Sequence, residues 1–184
     1  SFVTCIPNMV VMAPADEAEC RQMLSTAYTL DGPSMVRYPR GSGTGKLPTA
    51  DLETLPVGKG EIRRRGKDVA LIAFGSLVPA ALAAGEEIDA TVVNMRFVKP
   101  LDIELIVELA GNHSLLVSVE ENAVIGGAGS EIERVLAERG LSVPVLRLGL
   151  PDRFIDHGEQ GQLLAELGLD KDGIVRSVRR RTNP

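Results

Sequence analysis

Val69-Ala70-Leu71-Ile72-Ala73-Phe74-Gly75 is an uncharged run, and what stands on either side of it decides the fold. A short, continuous apolar run bounded by turn signals reads as a strand buried on both faces. Leu77 to Glu87 follows with helical character, and Pro79 falls in the first turn, where its missing N–H is tolerated. Ala90 to Met95 is the next strand. Downstream the alternation continues. Pro100-Leu101-Asp102 opens a helix to Ala110 with Asp102 as N-cap, Leu115 to Val119 is a strand, and Ser130 to Arg139 is a helix. Val143 to Leu148 is a strand, and helices over Gln160 to Leu167 and Lys171 to Arg181 close the chain. Upstream, Gly58 to Arg65 is a strand that the turn Arg65-Gly66-Lys67-Asp68 joins to the Val69 strand, which predicts an antiparallel hairpin. The pattern is α/β: a mostly parallel sheet with helices on both faces and an antiparallel edge strand.

Residues 41–56 break this pattern. Gly41, Gly43, Gly45, Pro48 and Pro56 interrupt regular structure, and Lys46, Asp51 and Glu53 keep the stretch solvated, so it reads as a linker. Residues 57–184 are then one domain, expected to fold independently around about five strands. Residues 1–40 hold one β-α-β unit: the apolar run Met9 to Ala13, a helix to about Tyr28, and a short strand ending near Arg40. Ala18, Met23, Leu24 and Ala27 are expected to face its core. Three elements in about forty residues cannot bury a core, so 1–40 reads as the end of a domain whose beginning is absent.

The strand of that unit lies in Gly32-Pro33-Ser34-Met35-Val36-Arg37-Tyr38-Pro39-Arg40-Gly41. The residue before a proline is pushed toward extended backbone, so Tyr38 is extended and Arg40 stands just past the strand's end. In a parallel sheet that is the edge where ligands bind. A guanidinium there offers a planar fork of donors to a phosphate or carboxylate. The plainer alternative is an arginine paired across a domain contact.

Composition narrows the functional classes. A net charge of −5 gives no reason to expect nucleic acid, and aromatic residues at 3% leave few stacking platforms for bases. Arg176 and Arg179 to Arg181 suit the polar face and last turn of a helix. No apolar run reaches membrane-spanning length. Cys5 and Cys20 form no CxxC pair and read as small core residues in a reducing compartment.

Other candidate groups are weaker. Gly126-Gly127-Ala128-Gly129 follows a strand and leads into a helix, which invites a phosphate-loop reading. A dinucleotide fingerprint starting at Gly127 would want glycine where Ile132 stands, and Glu120, Glu121, Glu131 and Glu133 surround the turn. A tight turn that brings a helix close to the sheet or a neighbouring domain is the better account. Glu120 and Glu121 could serve as acid and base, yet no histidine or lysine accompanies them. They read better as interface or loop-anchoring acids. His113 and His157 stand alone, as structural or solvated histidines.

Several stretches together resemble the C-terminal part of the 1-deoxy-D-xylulose 5-phosphate synthase family, of the transketolase superfamily. They are Cys5-Ile6-Pro7-Asn8-Met9, Asp31-Gly32-Pro33-Ser34, Val36 to Gly41, Met95-Arg96-Phe97-Val98-Lys99-Pro100-Leu101-Asp102, Glu120-Glu121-Asn122-Ala123, Gly126 to Ser130, and Leu148-Gly149-Leu150-Pro151-Asp152. Pro14-Ala15-Asp16-Glu17 belongs with them, with Ala15 where a serine helix cap is expected, a loss of about 1 kcal/mol of capping. The resemblance implies the last strands of a thiamine diphosphate pyrimidine-binding domain followed by a transketolase-type C-terminal domain. It implies thiamine diphosphate and Mg²⁺ as cofactors of the whole enzyme, none of them expected on this chain. It also implies pyruvate and D-glyceraldehyde 3-phosphate as substrates, a homodimer, and a bacterial cytoplasmic setting. Only Arg40 matches a family active-site position, as a substrate-binding residue, and it is expected to lie exposed in this chain. No catalytic residue is expected here, so the chain alone is expected to be inactive. The alternatives are the β subunit of a 2-oxo acid dehydrogenase first component, or a stand-alone assembly module.

Overall fold

The computed structural model describes residues 1–41 and 43–183; residue 42 of the linker and residue 184 lie outside the described residues. A five-stranded sheet forms the larger part. Its strands are β3 (Glu61–Arg64), β4 (Val69–Ala73), β5 (Thr91–Asn94), β7 (Leu115–Ala123) and β8 (Val145–Leu150), in the order β3-β5-β4-β7-β8. All neighbouring pairs are parallel except β3 with β5.

Alternation along the strands sends side chains to two separate cores. Leu71, Ala73, Val92, Val117 and Val119 face one side, covered by α2 (Val78–Ile88) through Val78, Ala81 and Ala84 and by α6 (Lys171–Thr182) through Ile174, Val175 and Val178. Ala70, Ile72, Val93 and Leu116 face the other, covered by α3 (Ile103–Asn112) and α4 (Ala128–Glu138). Every residue of β4 is buried, as a strand covered on both faces requires. Asp102 caps α3 by accepting from Leu105 N, and Arg179 to Arg181 lie in the last turn of α6. The short helix α5 (Gln160–Glu166) precedes α6.

The expected hairpin is not formed. β3 is the antiparallel edge strand, but it pairs with β5, while β4 lies beyond β5. Gly66 N donates to Thr91 Oγ1 and Lys67 N to Asp89 O, so the connection crosses the end of β5 instead of turning back on itself. Four residues with suitable turn chemistry specify a reversal; they do not specify which strand lies alongside.

The second sheet has three strands, in the order β2-β1-β6: β2 (Ser34–Val36), β1 (Val10–Met12) and β6 (Phe97–Lys99). β1 and β2 are parallel, and α1 (Glu17–Thr29) connects them. β6 comes from the other side of the linker and pairs antiparallel with β1. Phe97 is fully buried there against Met12 and Met23. Lys99 donates to the carbonyls of Thr4 and Ile6 at 2.8 and 2.7 Å.

A buried ionic cluster fixes this junction. Glu19 on α1 is 5% exposed and accepts from Ala15 N (2.7 Å), from Asn94 Nδ2 (2.9 and 3.0 Å) and from Arg96 Nε (2.7 Å). Arg96 also pairs with Glu61 at 2.6 Å. Arg96 has φ of 61°, in the left-handed region that non-glycine residues seldom adopt, and its own N–H meets Asn94 Oδ1 at 3.2 Å.

Three details of the first unit differ from expectation. Helix α1 is capped by Asp16, which accepts from Glu19 N, so Ala15 costs no cap. Leu24 is 54% exposed, and Glu19 and Thr26 take the buried positions beside Met23. Cys5 is exposed and Cys20 half-buried, so neither is a core residue. The linker has no regular secondary structure over its described residues and lies back along α1. Thr44 Oγ1 and Gly45 N donate to Glu17, Lys46 to Asp16, Arg21 to Ala50 O, and Leu55 N to Thr26 Oγ1.

Replacing Arg96 with alanine leaves Glu19 buried without its cationic partner, and removal of one member of a buried pair costs about 3–5 kcal/mol. Urea denaturation of Arg96→Ala in the 184-residue chain is expected to show a loss of that order. A loss under about 1 kcal/mol would mean that the cluster does not hold the junction.

Candidate functional site

Arg40 stands four residues beyond β2 and is exposed. Because β1 and β2 run parallel, this is the carboxyl edge of the smaller sheet. A cavity of about 390 Å³ opens beside it, lined among others by Pro14, Cys20, Tyr38, Ser76, Gln160 and Leu164. Both sides of the linker contribute to it. The Cys20 thiol in its wall is pushed above its ordinary pKa by burial. Glu17, also in the wall, is held down to about 2 by donors from Thr44 and Gly45.

The end of β7 is the other place where polar groups gather. The register of β7 against β8 shifts between Val119 and Ala123, and Glu120 to Asn122 lie inside that irregularity. Glu120 is 3% exposed. Its carboxylate accepts from Ala128 N and Gly129 N, both at 2.8 Å, at the first turn of α4. Burial pushes this carboxyl above the usual range, and the two amide donors pull the other way. A Cβ on Gly127 would run into that carboxylate, and one on Gly129 into Ser118 Oγ. The glycine turn therefore lets α4 approach the sheet closely, and Glu120 anchors it, as its loop-anchoring reading expects.

Glu121 faces the other way. Its carboxylate accepts from Ser76 Oγ at 2.7 Å and from Gln160 Nε2 at 3.4 Å, and its backbone carbonyl accepts from Arg37 Nη2 at 2.8 Å. The histidines are as read: His113 is half-buried between Leu109 O (2.9 Å) and Thr91 Oγ1 (2.8 Å), and His157 is exposed. The structure thus places Arg40 near a cavity and does not bring Glu120, His113 or His157 to it. Sequence reading missed Glu19, Asn94, Arg37, Ser76 and Gln160. The one available signal was the coincidence of Arg96 and Lys99 within an otherwise apolar stretch.

The helix start at Gly126 to Gly129 does not fit the diphosphate group of thiamine diphosphate. The glycine-rich helix start that could take a diphosphate is filled by the protein's own Glu120 carboxylate. Among the described residues no three His, Cys, Asp or Glu side chains come together as a metal site. No described helix is long and apolar enough to cross a membrane.

Comparison with known proteins agrees with this architecture. Residues 58–174 match the transketolase C-terminal domain and residues 1–45 the transketolase pyrimidine-binding domain. Over all 184 residues the chain is 87% identical to the 1-deoxy-D-xylulose-5-phosphate synthase of Dechloromonas aromatica (strain RCB), of which it spans 30%. It is 64% identical over 178 residues to the synthase of Azoarcus sp. (strain BH72), covering 97% of this chain and 29% of that one. The chain thus spans about a third of the length of these curated relatives. Among solved structures, a split gene transketolase described as an inactive beta4 tetramer superposes with a TM-score of 0.83 at 36% identity, over 96% of this chain and 58% of that chain. A transketolase from Campylobacter jejuni shares the fold at 16% identity and a TM-score of 0.63, over 96% of this chain and 27% of its own.

Glu120→Gln replaces one of two acceptor oxygens with an NH₂ that faces a backbone N–H. The expected cost is about 1–3 kcal/mol, with faster amide exchange at Ala128 and Gly129. Unchanged exchange at those two amides would show that the carboxylate does not anchor α4.

Proposed function

The chain belongs to the transketolase family, and we propose that it is part of a thiamine diphosphate-dependent synthase. In this reading the whole enzyme condenses pyruvate with D-glyceraldehyde 3-phosphate, releases CO₂ and yields 1-deoxy-D-xylulose 5-phosphate, a precursor for isoprenoids and thiamine. The observation that carries it is the 87% identity, unbroken over the chain, to a synthase of that name. The group is a transferase of the transketolase type, and Mg²⁺ accompanies its cofactor. The cofactor supplies the carbanion chemistry; this chain's residues supply none of it. The division into 1–40, 41–56 and 57–184 is proposed with it, the first part completing a pyrimidine-binding domain. A homodimer in the bacterial cytoplasm is proposed with it; the origin of these relatives supports the bacterial setting.

Within that enzyme Arg40 binds substrate. Exposure at the carboxyl edge of β1 and β2, beside a cavity, supports this. Its guanidinium suits the phosphate of one substrate and the carboxylate of the other. Taken alone, the 184-residue chain is proposed to be inactive. The likeness to a beta tetramer described as inactive favours that reading.

Two measurements test the proposal. The purified 184-residue chain is expected to form no deoxyxylulose phosphate from the two substrates with cofactor and Mg²⁺ present; measurable product would overturn its inactivity. In the intact enzyme, Arg40→Ala is expected to lose roughly 2–4 kcal/mol of transition-state binding, about 30- to 1000-fold in kcat/KM, with Arg40→Lys less impaired. Cofactor affinity should stay constant. A kcat/KM within about twofold of wild type for both substrates would leave Arg40 a merely structural residue.

A further inference from the structure

We infer that Arg37 is a positioning residue for Arg40, tethering the segment that carries it to the end of β7. The inference rests on the reading of Arg40 as a substrate-binding group. Arg37 stands three residues before Arg40. Its backbone N–H donates to Met12 O at 2.8 Å, continuing the ladder between β1 and β2. Its side chain crosses to the larger sheet, where Nη2 donates to the Glu121 carbonyl at 2.8 Å.

Glu121 is itself held. Ser76 Oγ, in the turn after β4, donates to its carboxylate, and Gln160 Nε2, at the start of α5, approaches the same group. Gln160 in turn touches the Arg40 segment. A Cβ built on Gly41 would stand 3.1 Å from Gln160 Oε1, so the amide lies against the backbone directly after Arg40. Beyond residue 42, Thr44 and Gly45 are bound by Glu17. Tyr38 to Gly41 therefore run from the Arg37 tether to the contact with Gln160, and exposed Arg40 is presented from that span.

The irregularity in β7 makes the tether possible. Where the register shifts, Glu120 turns its carboxylate to α4, while the next carbonyl, that of Glu121, is available to Arg37. Bulges commonly re-aim groups in this way beside functional sites. Arg37 touches no substrate in this account. It acts through the orientation of Arg40, and a misplacement of about 1 Å can cost up to about 100-fold in rate.

The test is a double-mutant cycle in the intact enzyme: wild type, Arg37→Ala, Arg40→Ala and the double variant, with Arg37→Lys as the conservative control. Arg37→Ala is expected to lower kcat/KM about tenfold with unchanged cofactor affinity, and Arg37→Lys, which keeps one donor for the carbonyl, to recover part of it. The double variant should be no worse than Arg40→Ala alone, within about twofold. Losses that multiply would mean Arg37 acts independently of Arg40, and no loss in Arg37→Ala would mean it has no role; either overturns the inference. A second readout needs no turnover. In the 184-residue chain, exchange of the backbone amide at position 37, which donates to Met12 O, should quicken in Arg37→Ala while β4 and β7 keep their protection. Unchanged exchange there overturns the tether. If Arg40→Ala proves kinetically silent, the substrate reading fails by itself, and the exchange result alone decides whether Arg37 holds the segment.

Discussion

The pairing of Arg96 with Glu19 is the constraint on which the arrangement of the two sheets depends. Glu19 is nearly inaccessible to solvent, and a buried carboxylate is tolerated only where opposite charge and donors surround it. Here they come from both sides of the linker: Ala15 N from the residue just before the cap of its own helix, Asn94 and Arg96 from the end of β5. The pair is stable only if the smaller sheet sits where it does. Arg96 accepts a left-handed backbone to reach it, which costs on the order of 1 kcal/mol. That turn starts β6, and β6 then adds itself to β1 and buries Phe97 between Met12 and Met23. One ion pair, one strained residue and one borrowed strand therefore form a single device. Each would be unfavourable or unnecessary without the others.

A similar economy governs the end of β7. Helix N-termini attract anions, and glycine-rich turns let them approach backbone closely. In α4 the anion is Glu120, already supplied by the chain, so the turn fastens a helix instead of receiving a phosphate. Desolvation acts against that carboxylate and the two amides act for it, and the directions oppose each other within one residue. The neighbouring Glu121, displaced by the register shift, fastens Ser76 and Gln160 in the opposite direction. Two adjacent acids that resemble an acid–base pair in sequence are thus separated in space by the backbone between them.

What was legible in the sequence follows from how local each signal is. The apolar run at Val69 is buried at every position, and helices do cover both faces, because burial on two sides leaves a composition that needs no partner to be read. Asp102 and the C-terminal arginines were legible for the same reason: caps and dipole charges are short-range. Apart from the cap at Asp16 and the exposure of Leu24 and Cys5, the errors concern partners. The Arg65-Gly66-Lys67-Asp68 turn shows that the chain reverses, but whether β3 meets β4 or β5 is decided by the whole sheet. Val98 and Lys99 are only half-buried, so β6 has no alternating or continuous pattern to betray it. The buried place of Glu19 on α1 could not be read from Glu19 itself. A glutamate in a first helical turn is normally a solvated dipole partner, and only Asn94 and Arg96, some 75 positions away, make it otherwise.

The same reasoning explains why an exposed arginine can still be a well-defined group. Ordering a residue's backbone costs about 1–2 kcal/mol, so fixing Tyr38 to Gly41 would cost several. The hydrogen bonds at either end return only about 1 kcal/mol each, somewhat more where a charge is involved. Pro39 closes part of the difference, since its ring has already removed one dihedral from the unfolded chain. Gln160 against Gly41 and the Arg37 side chain on β7 close more, by limiting the span from outside. The remaining freedom falls on the Arg40 side chain itself, which is exposed and long. A ligand that takes both prongs of the guanidinium would order that side chain and nothing else, because the backbone beneath it is already held. If Arg40 binds substrate as proposed, such a division, with backbone fixed by the larger sheet and side chain left to the ligand, would let distant elements set the geometry of the binding group.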